Sequence, residues 1–228
     1  MPVNSTVYQH IKASLEEKNV TLVAVSKTKS IEDILALYEL GQRDFGENYV
    51  QELLEKYKKL PEDIRWHFIG HLQSNKVKLI APFVSLIHSV DSVNLLKEIN
   101  KQAKKNTRAI NCLLQVFIAS EETKYGLDPQ ELDEVIKGVE DHAGTEKAFP
   151  NICIKGLMGM ASFTGDKEIV RKEFGFLKSL FDQYATISAA NFHFSILSMG
   201  MSADYHIAIE EGSNMVRIGS LLFGKRDA

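Results

Sequence analysis

Lys27 is the residue that could do chemistry most directly, because it follows the apolar run Thr21-Leu22-Val23-Ala24-Val25-Ser26. A run of this kind is typical of a strand that is buried on both faces, as parallel strands are in α/β proteins. Side chains alternate along an extended chain, so Val23, Val25 and Lys27 share one face. The pattern places an amine at the carboxyl end of a strand, where α/β proteins bind ligands. The alternative is a lysine that is merely the first solvated residue of a loop.

Two loops near the C-terminus contain the small residues that anion sites use. They are Ser198-Met199-Gly200-Met201-Ser202-Ala203-Asp204 and Arg217-Ile218-Gly219-Ser220-Leu221-Leu222-Phe223-Gly224. Small residues let backbone N–H groups approach an anion closely, and a helix that begins near Ser202 would add its positive dipole end. Ser202 could instead act only as the N-cap of that helix. Because two such loops follow the last two predicted strands, the pattern favours a phosphate site.

Arg217 shares a face with Met215 and Gly219 in an extended chain, which would direct it toward the same site. An ordinary salt bridge is the competing role. A lysine and a phosphate site together indicate a phosphorylated carbonyl ligand. The lysine could form a Schiff base with pyridoxal phosphate (PLP), or it could attack a sugar-phosphate ketone, as in a class I aldolase. Spacing alone does not separate these two chemistries.

Composition argues against several other classes of partner. The 228 residues include 27 Lys+Arg and 30 Asp+Glu, for a formal charge of -3, so we expect neither nucleic acid nor a membrane surface as a partner. No apolar stretch approaches the roughly 20 residues of a membrane helix, and the N-terminus does not resemble a signal peptide. Cys112 and Cys153 lie in apolar runs, as free thiols do. We expect a cytoplasmic protein with a small-molecule ligand.

We expect no metal site. His67 and His71 are four residues apart, but they straddle a predicted strand and the loop after it. The two imidazoles therefore cannot share one face of a helix, as paired metal ligands often do. We expect most of the seven histidines to be hydrogen-bonded core or loop residues.

The elements that must position these residues are strands, predicted from apolar runs, and helices, predicted from apolar stripes between the runs. After the first run, the predicted strands are Asp44 to Gly46, Trp66 to Gly70, Leu86 to Val90, Cys112 to Ile118, Ile152 to Met158, Phe192 to Leu197 and Met215 to Ile218. A leading helix with Ser5 as its N-cap precedes them, and a helix capped by Ser30 and ended by Gly41 follows the first strand. The later helices are Tyr49 to Lys59, Asn75 to Phe83, Ser92 to Lys105, Pro129 to Asp141, Lys167 to Tyr184 and Ala203 to Glu211.

Eight strands that alternate with helices predict the α/β class and, within it, a (β/α)8 TIM barrel with an extra N-terminal helix. We expect residues 1–228 to form this single domain. An open, doubly wound sheet is the alternative. The second strand is the weakest prediction, because Gly46 lies inside it.

Motifs along nearly the whole chain resemble the pyridoxal phosphate homeostasis protein family, which is similar to the PLP-binding barrel of alanine racemase, called fold type III. They are Ala24 to Lys29, Phe45 to Glu52, Trp66 to Lys76, His88 to Ser92, Lys124 to Leu127, Gly156 to Met158, Leu197 to Asp204, Arg217 to Gly219 and Phe223-Gly224.

This resemblance implies roles for individual residues. Lys27 would hold PLP as a Schiff base, Arg217 would face the pyridine nitrogen, and the phosphate would bind Ser202, Gly219 and Ser220. We expect the cofactor-binding set to include also Asn48, His71, Met158, Ser198 and Met199. The sequence departs from the family pattern at Phe117, where asparagine is usual, at Gly159, where threonine is common, and at Ser220, where many relatives have threonine.

The resemblance also implies a function. Family members bind PLP and influence vitamin B6 and amino-acid pools, so we expect a monomeric PLP holder without catalytic turnover, with PLP-dependent apo-enzymes as candidate partners. A racemase-like enzyme is the alternative. It is disfavoured because the chain stops at Ala228, soon after the eighth strand, whereas racemisation needs a second base from a C-terminal domain.

Overall fold

In the computed structural model, which describes residues 3–120, 125–140, 149–187 and 191–224, eight parallel strands close into a barrel. Each strand pairs with the next, and β8 pairs with β1. The strands are β1 (Thr21–Val25), β2 (Asp44–Glu47), β3 (Arg65–Phe68), β4 (Leu86–Val90), β5 (Ile110–Gln115), β6 (Ile152–Met158), β7 (Phe192–Ser198) and β8 (Met215–Ile218). The predicted α/β barrel is confirmed, and the open sheet is wrong.

The weak second strand is present because Gly46 fits the crowded barrel interior. A Cβ atom at this position would lie 3.0 Å from both Ile69 Cδ1 and Val23 Cγ1. The absence of a side chain therefore allows β2 to pack between β1 and β3.

Helices cover the outside of the barrel. They are α1 (Ser5–Glu16), α2 (Ile31–Glu39), α3 (Val50–Tyr57), α4 (Val77–Ile80, preceded by a 3₁₀ turn, Ser74–Lys76), α5 (Val93–Lys105), α6 (Pro129–Glu140), α7 (Lys167–Tyr184), α8 (Tyr205–Glu210) and α9 (Ser220–Phe223). The predicted end of the sixth helix, Asp141, lies outside the described residues. Among the helices in the described ranges, none has the length and apolar character that crossing a membrane would need.

Several predicted boundaries differ from the structure by a few residues, and three of the differences are informative. The N-cap of α1 is Asn4 rather than Ser5, since the Asn4 side chain accepts a hydrogen bond from the backbone N–H of Val7 (3.1 Å). The fifth strand ends at Gln115, because the backbone beyond it bonds with Leu127 instead of continuing in the sheet. Helix α8 begins at Tyr205, after an N-cap at Asp204, rather than at Ala203.

Two hydrophobic clusters stabilise the barrel. The larger lies between the strands and the helices, whereas the smaller lies inside the barrel and consists of Val23, Leu86, Leu113, Met158 and Met215. The inner cluster closes the floor of the space in which a ligand could bind, because it fills the barrel below the carboxyl ends of the strands.

Candidate functional site

A cavity of about 630 Å³ lies at the carboxyl ends of the strands, a size typical of small-molecule sites. Six of the ten predicted cofactor-binding residues line it: Lys27, Asn48, Ser202, Arg217, Gly219 and Ser220. Arg217 lies within β8, and the other five come from the segments that follow β1, β2, β7 and β8. The closed barrel thus brings together residues from both ends of the chain.

Lys27 lies in a turn just after β1, and it lines the cavity together with Val25. Hydrogen bonds fix the backbone on both sides of the lysine. Ser26 N donates to Gly46 O (3.0 Å), and Thr28 N donates to Glu52 Oε1 (2.5 Å). Thr28 has a φ of 62°, an unusual value for a β-branched residue. The loop therefore has a defined, strained conformation rather than that of a solvated strand end.

A buried charged network supports this loop from the helix side of the barrel. Lys56 Nζ, on α3, donates to Ser26 O (2.7 Å), Glu47 Oε1 (2.8 Å) and Glu52 Oε1 (2.7 Å). Ser26 Oγ also donates to Glu47 Oε1 (2.6 Å), while Glu47 Oε2 is buried and has no hydrogen-bond partner among the residues that the structure describes. Burial raises the pKa of Glu47 to about 6, against the opposing effect of the Lys56 charge.

Arg217 is 4% exposed and is held in one orientation at the cavity. Its Nη1 donates to Ser198 O (2.9 Å) and Ser198 Oγ (2.7 Å), and its Nη2 donates to Gly159 O (3.0 Å). Burial lowers the pKa of Arg217 to about 10, against the opposing effect of Asp204, so the guanidinium remains charged at neutral pH. These three hydrogen bonds go to uncharged oxygen atoms, and Asp204 is the carboxylate whose charge acts on the guanidinium.

The two small-residue loops contact each other. Ser202 Oγ accepts a hydrogen bond from Gly219 N (3.3 Å), and a Cβ atom on Gly219 would lie 3.3 Å from Val25 O. Ser202 is not the N-cap of α8, because Asp204 holds that position and accepts from Met201 N (2.6 Å). Ser202 instead joins the loop after β7 to the loop after β8.

The structure does not bring the other four predicted residues to the cavity wall. Met158 packs in the inner cluster, Met199 is fully buried in the outer core, and Ser198 lies behind Arg217. His71 is half exposed, stacks on Tyr125 and contacts Asp91 Oδ2 (3.2 Å).

Sequence reasoning missed the loop after β6. Ala161, Ser162 and Phe163 line the cavity, and the Ser162 backbone N–H (2.7 Å) and hydroxyl (2.6 Å) both donate to Glu173 on α7. Phe163 is 91% exposed. Small and aromatic residues in a loop give no period that would indicate a site, so only their position in space identifies them.

Two of the three departures from the family pattern, Gly159 and Phe117, lie in different places. Gly159 contributes its carbonyl to Arg217, and a Cβ atom on it would point at Leu177 Cδ2 (2.7 Å) and Ile118 Cδ1 (2.9 Å), which pack outside the barrel. Phe117 lies in a separate crevice beside Tyr125. Lys124, in the neighbouring motif, lies outside the described residues. No group of three or more metal-binding side chains occurs in the described ranges.

These features define a (β/α)8 barrel with a lysine, a buried arginine and two serine-containing loops at one mouth. Residues 7–227 match the model of the family described as alanine racemase, N-terminal domain. Proteins named pyridoxal phosphate homeostasis protein are 42% identical in Aquifex aeolicus, over 94% of this chain and 91% of that protein, and 37% identical in Escherichia coli, over 92% and 87%. The chain therefore belongs to the pyridoxal phosphate homeostasis protein family.

Solved structures agree with this assignment. PipY of Synechococcus elongatus, described with PLP bound, is 32% identical, has a TM-score of 0.80, and is matched over 96% of this chain and 100% of that one. An alanine racemase of Clostridium difficile has a TM-score of 0.73 over 100% of this chain and 60% of that one, but only 16% identity. The second likeness shows the fold alone.

Proposed function

We propose that this protein holds PLP as a Schiff base on Lys27 and serves vitamin B6 and amino-acid homeostasis in the cytoplasm without catalytic turnover. The observation that carries the proposal is that Lys27, Arg217 and Ser220 line one cavity. A relative of 32% identity is described with PLP bound, and its fold superimposes with a TM-score of 0.80.

The residues present fit the cofactor. Bound PLP supplies an aldehyde that condenses reversibly with an amine, with loss of water. Lys27 offers the amine, and the Ser202 and Ser220 loops offer hydroxyl and backbone N–H donors for the phosphate. Lys29 lines the same cavity and donates to Phe223 O (3.0 Å), which adds a second positive charge near the anionic ligand.

Arg217 is the reason that we propose holding rather than turnover. Removal of an amino acid's α-proton by PLP enzymes is fastest when the pyridine ring can take up negative charge, as a protonated ring nitrogen allows. A charged guanidinium beside that nitrogen disfavours a second positive charge. Arg217 is buried, and its pKa of about 10 keeps it charged at neutral pH. The site therefore binds the ring while weakening it as an electron acceptor.

The covalent link is tested by adding PLP, reducing with borohydride, denaturing and mapping the labelled peptide. We expect the label on Lys27, and we expect Lys27→Ala to lose both the label and the visible absorbance of the bound cofactor. Lys29→Ala is the matched control, because this lysine lines the same cavity, and it should keep the label. Retention of the label by Lys27→Ala would place the bond on another lysine.

The absence of turnover is tested by incubating the PLP-loaded protein with L-alanine in deuterium oxide. We expect exchange of the α-proton far below roughly 1 per second, the lower end of ordinary enzymatic rates. Exchange at or above that rate would make the protein an enzyme.

We propose that the recipients of PLP are apo-enzymes and that the holder is a monomer. Mixing the loaded protein with a PLP-dependent apo-enzyme should restore that enzyme faster than the same concentration of spontaneously released PLP. Light scattering of the loaded protein should give a mass near 25.6 kDa, and a mass near twice that value would contradict the monomer.

A further inference from the structure

A hydrogen-bonded network of polar side chains runs through the barrel from one end to the other. Its contacts are Asp44 Oδ1 to His67 Nε2 (3.0 Å), His67 Nδ1 to His88 Nε2 (2.9 Å), and His88 Nδ1 to Ser198 Oγ (3.2 Å). The network ends where Arg217 Nη1 donates to Ser198 Oγ (2.7 Å). Both imidazoles are buried. Burying polar side chains costs free energy unless each of them has a hydrogen-bond partner.

The two ends of the network border different cavities. Arg217 borders the proposed PLP cavity. Asp44 borders a second cavity of about 250 Å³ at the amino ends of the strands, together with Arg65 and Gln42. Arg65 forms a two-point ion pair with Asp44, through Nε to Oδ1 (2.7 Å) and Nη2 to Oδ2 (2.5 Å). The network therefore connects the cavity at the amino ends of the strands with the proposed PLP cavity.

The chemistry of the two ends fixes the direction of every hydrogen bond between them. Arginine can only donate, and an ionised carboxylate can only accept. Burial raises the pKa of Asp44, but hydrogen bonds from His67 and Arg65 outweigh burial and lower it to about 2, so the carboxylate is ionised at neutral pH. Burial, together with the neighbouring Arg217 charge, holds the pKa of His88 well below its usual range, so this ring is neutral.

With one proton on each ring, only one arrangement satisfies every contact. His67 must carry its proton on Nε2 to donate to Asp44, which leaves Nδ1 to accept from His88 Nε2–H. His88 Nδ1 then accepts from the Ser198 hydroxyl, and the lone pairs of Ser198 Oγ accept from Arg217. Each group donates once toward Asp44.

We propose that Asp44, His67 and His88 are positioning residues for Arg217. Resting on the proposed function, the inference is that the Asp44 carboxylate, which does not border the PLP cavity, orients the guanidinium that meets the pyridine nitrogen. Without the carboxylate, His67 can adopt either tautomer, so the Ser198 hydroxyl loses its fixed direction. Arg217 then keeps its two carbonyl partners, Ser198 O and Gly159 O, but its third partner can rotate.

The first test uses cofactor-free protein labelled with ¹⁵N and measures the histidine ring nitrogens by NMR. We expect His67 and His88 both to carry a proton on Nε2 and a bare Nδ1, and Asp44→Asn to change the tautomer populations of both rings. A proton on Nδ1 of His88 in the native protein would overturn the proposal. Unchanged tautomers in Asp44→Asn would also overturn it.

The second test compares the affinity for PLP with the affinity for the PLP analogue in which C–H replaces the ring nitrogen. This ratio reports the contact between Arg217 and the nitrogen, because both ligands keep the aldehyde and the phosphate. We expect Asp44→Asn to lower the ratio about three- to ten-fold, the range of one net hydrogen bond, and to leave analogue binding unchanged.

Asp63→Asn is the matched control, because Asp63 accepts hydrogen bonds from Arg43 and Tyr38 at the surface, and these bonds do not involve the network from Asp44 to Arg217. It should keep the native ratio. A native ratio in Asp44→Asn would refute the positioning role while leaving PLP binding intact. Failure of the native protein to bind either ligand would instead refute the proposed function. The histidine tautomers would still decide the direction of the hydrogen bonds in the network.

Discussion

Replacing Lys56 by methionine should destabilise the protein strongly, because it would leave Glu47 as an uncompensated buried charge. The Lys56 side chain is 5% exposed and the Glu47 side chain is fully buried. Removing one partner of a buried ion pair costs about 3–5 kcal/mol. For a domain of this size, each kcal/mol lowers the melting temperature by about 2–4 °C, so the expected decrease is about 6–20 °C. The same change removes the hydrogen bond to Ser26 O beside Lys27.

The loss should depend on pH in a known direction. Burial already raises the pKa of Glu47 to about 6 with Lys56 present, and removing the positive charge raises that pKa further. Glu47 in the variant can then take up a proton as the pH falls, which relieves the unpaired charge. The difference in unfolding free energy between the native protein and Lys56→Met should therefore be larger at pH 8 than at pH 5.

The assay is urea unfolding of both proteins at pH 5 and pH 8, with Lys101→Met as the control. Lys101 pairs with Glu98 on α5 at 3.4 Å, but its side chain is 61% exposed, so its loss should cost about 1 kcal/mol or less. A decrease below about 1 kcal/mol for Lys56→Met, or one that is equal at the two pH values, would refute the ionic interpretation of this network.

Three further results are expected. Gly200→Ala should destabilise the protein by about 1–3 kcal/mol in thermal unfolding, because φ is +95° and the new Cβ would lie 2.6 Å from Ala208 Cβ; a native melting temperature would contradict this. Ser202→Ala and Ser220→Ala should each weaken PLP binding roughly ten-fold and hardly affect pyridoxal, which lacks the phosphate; equal losses for both ligands would exclude a phosphate site. Because the pKa of Asp44 is lowered from 3.8 to about 2, this group should add about 2 kcal/mol to the free energy of unfolding above pH 4. This contribution should be lost as the pH falls toward 2. Acid unfolding of Asp44→Asn should lack this contribution.

The order of strands and helices could be predicted because it depends on local patterns. Apolar runs located all eight strands, including the weak one around Gly46, and the end of the first run located Lys27 at the cavity. Boundaries were less predictable. Asn4 became a helix cap through its own side-chain hydrogen bond, and the Asp204 side chain accepts from Met201 N ahead of α8; a count of apolar residues detects neither contact.

The cavity itself was only partly predictable. Of the ten residues proposed from motifs, six line the cavity, whereas Met158 and Met199 lie in the two cores. The reason is that a motif fixes which backbone segment is near the ligand, while the alternation within a strand decides which side chain reaches it. The loop from Ala161 to Phe163 had no motif and was missed.

The sequence by itself determined the alternation of elements, the lysine at the end of the first strand and the small residues after the last two. Only the tertiary structure decided that the barrel closes through the pairing of β1 with β8, which brings Lys27 and Ser220 to one cavity. It also decided that His88 meets Ser198, 110 residues later in the chain. Contacts between distant segments depend on closure of the barrel, which no local pattern encodes.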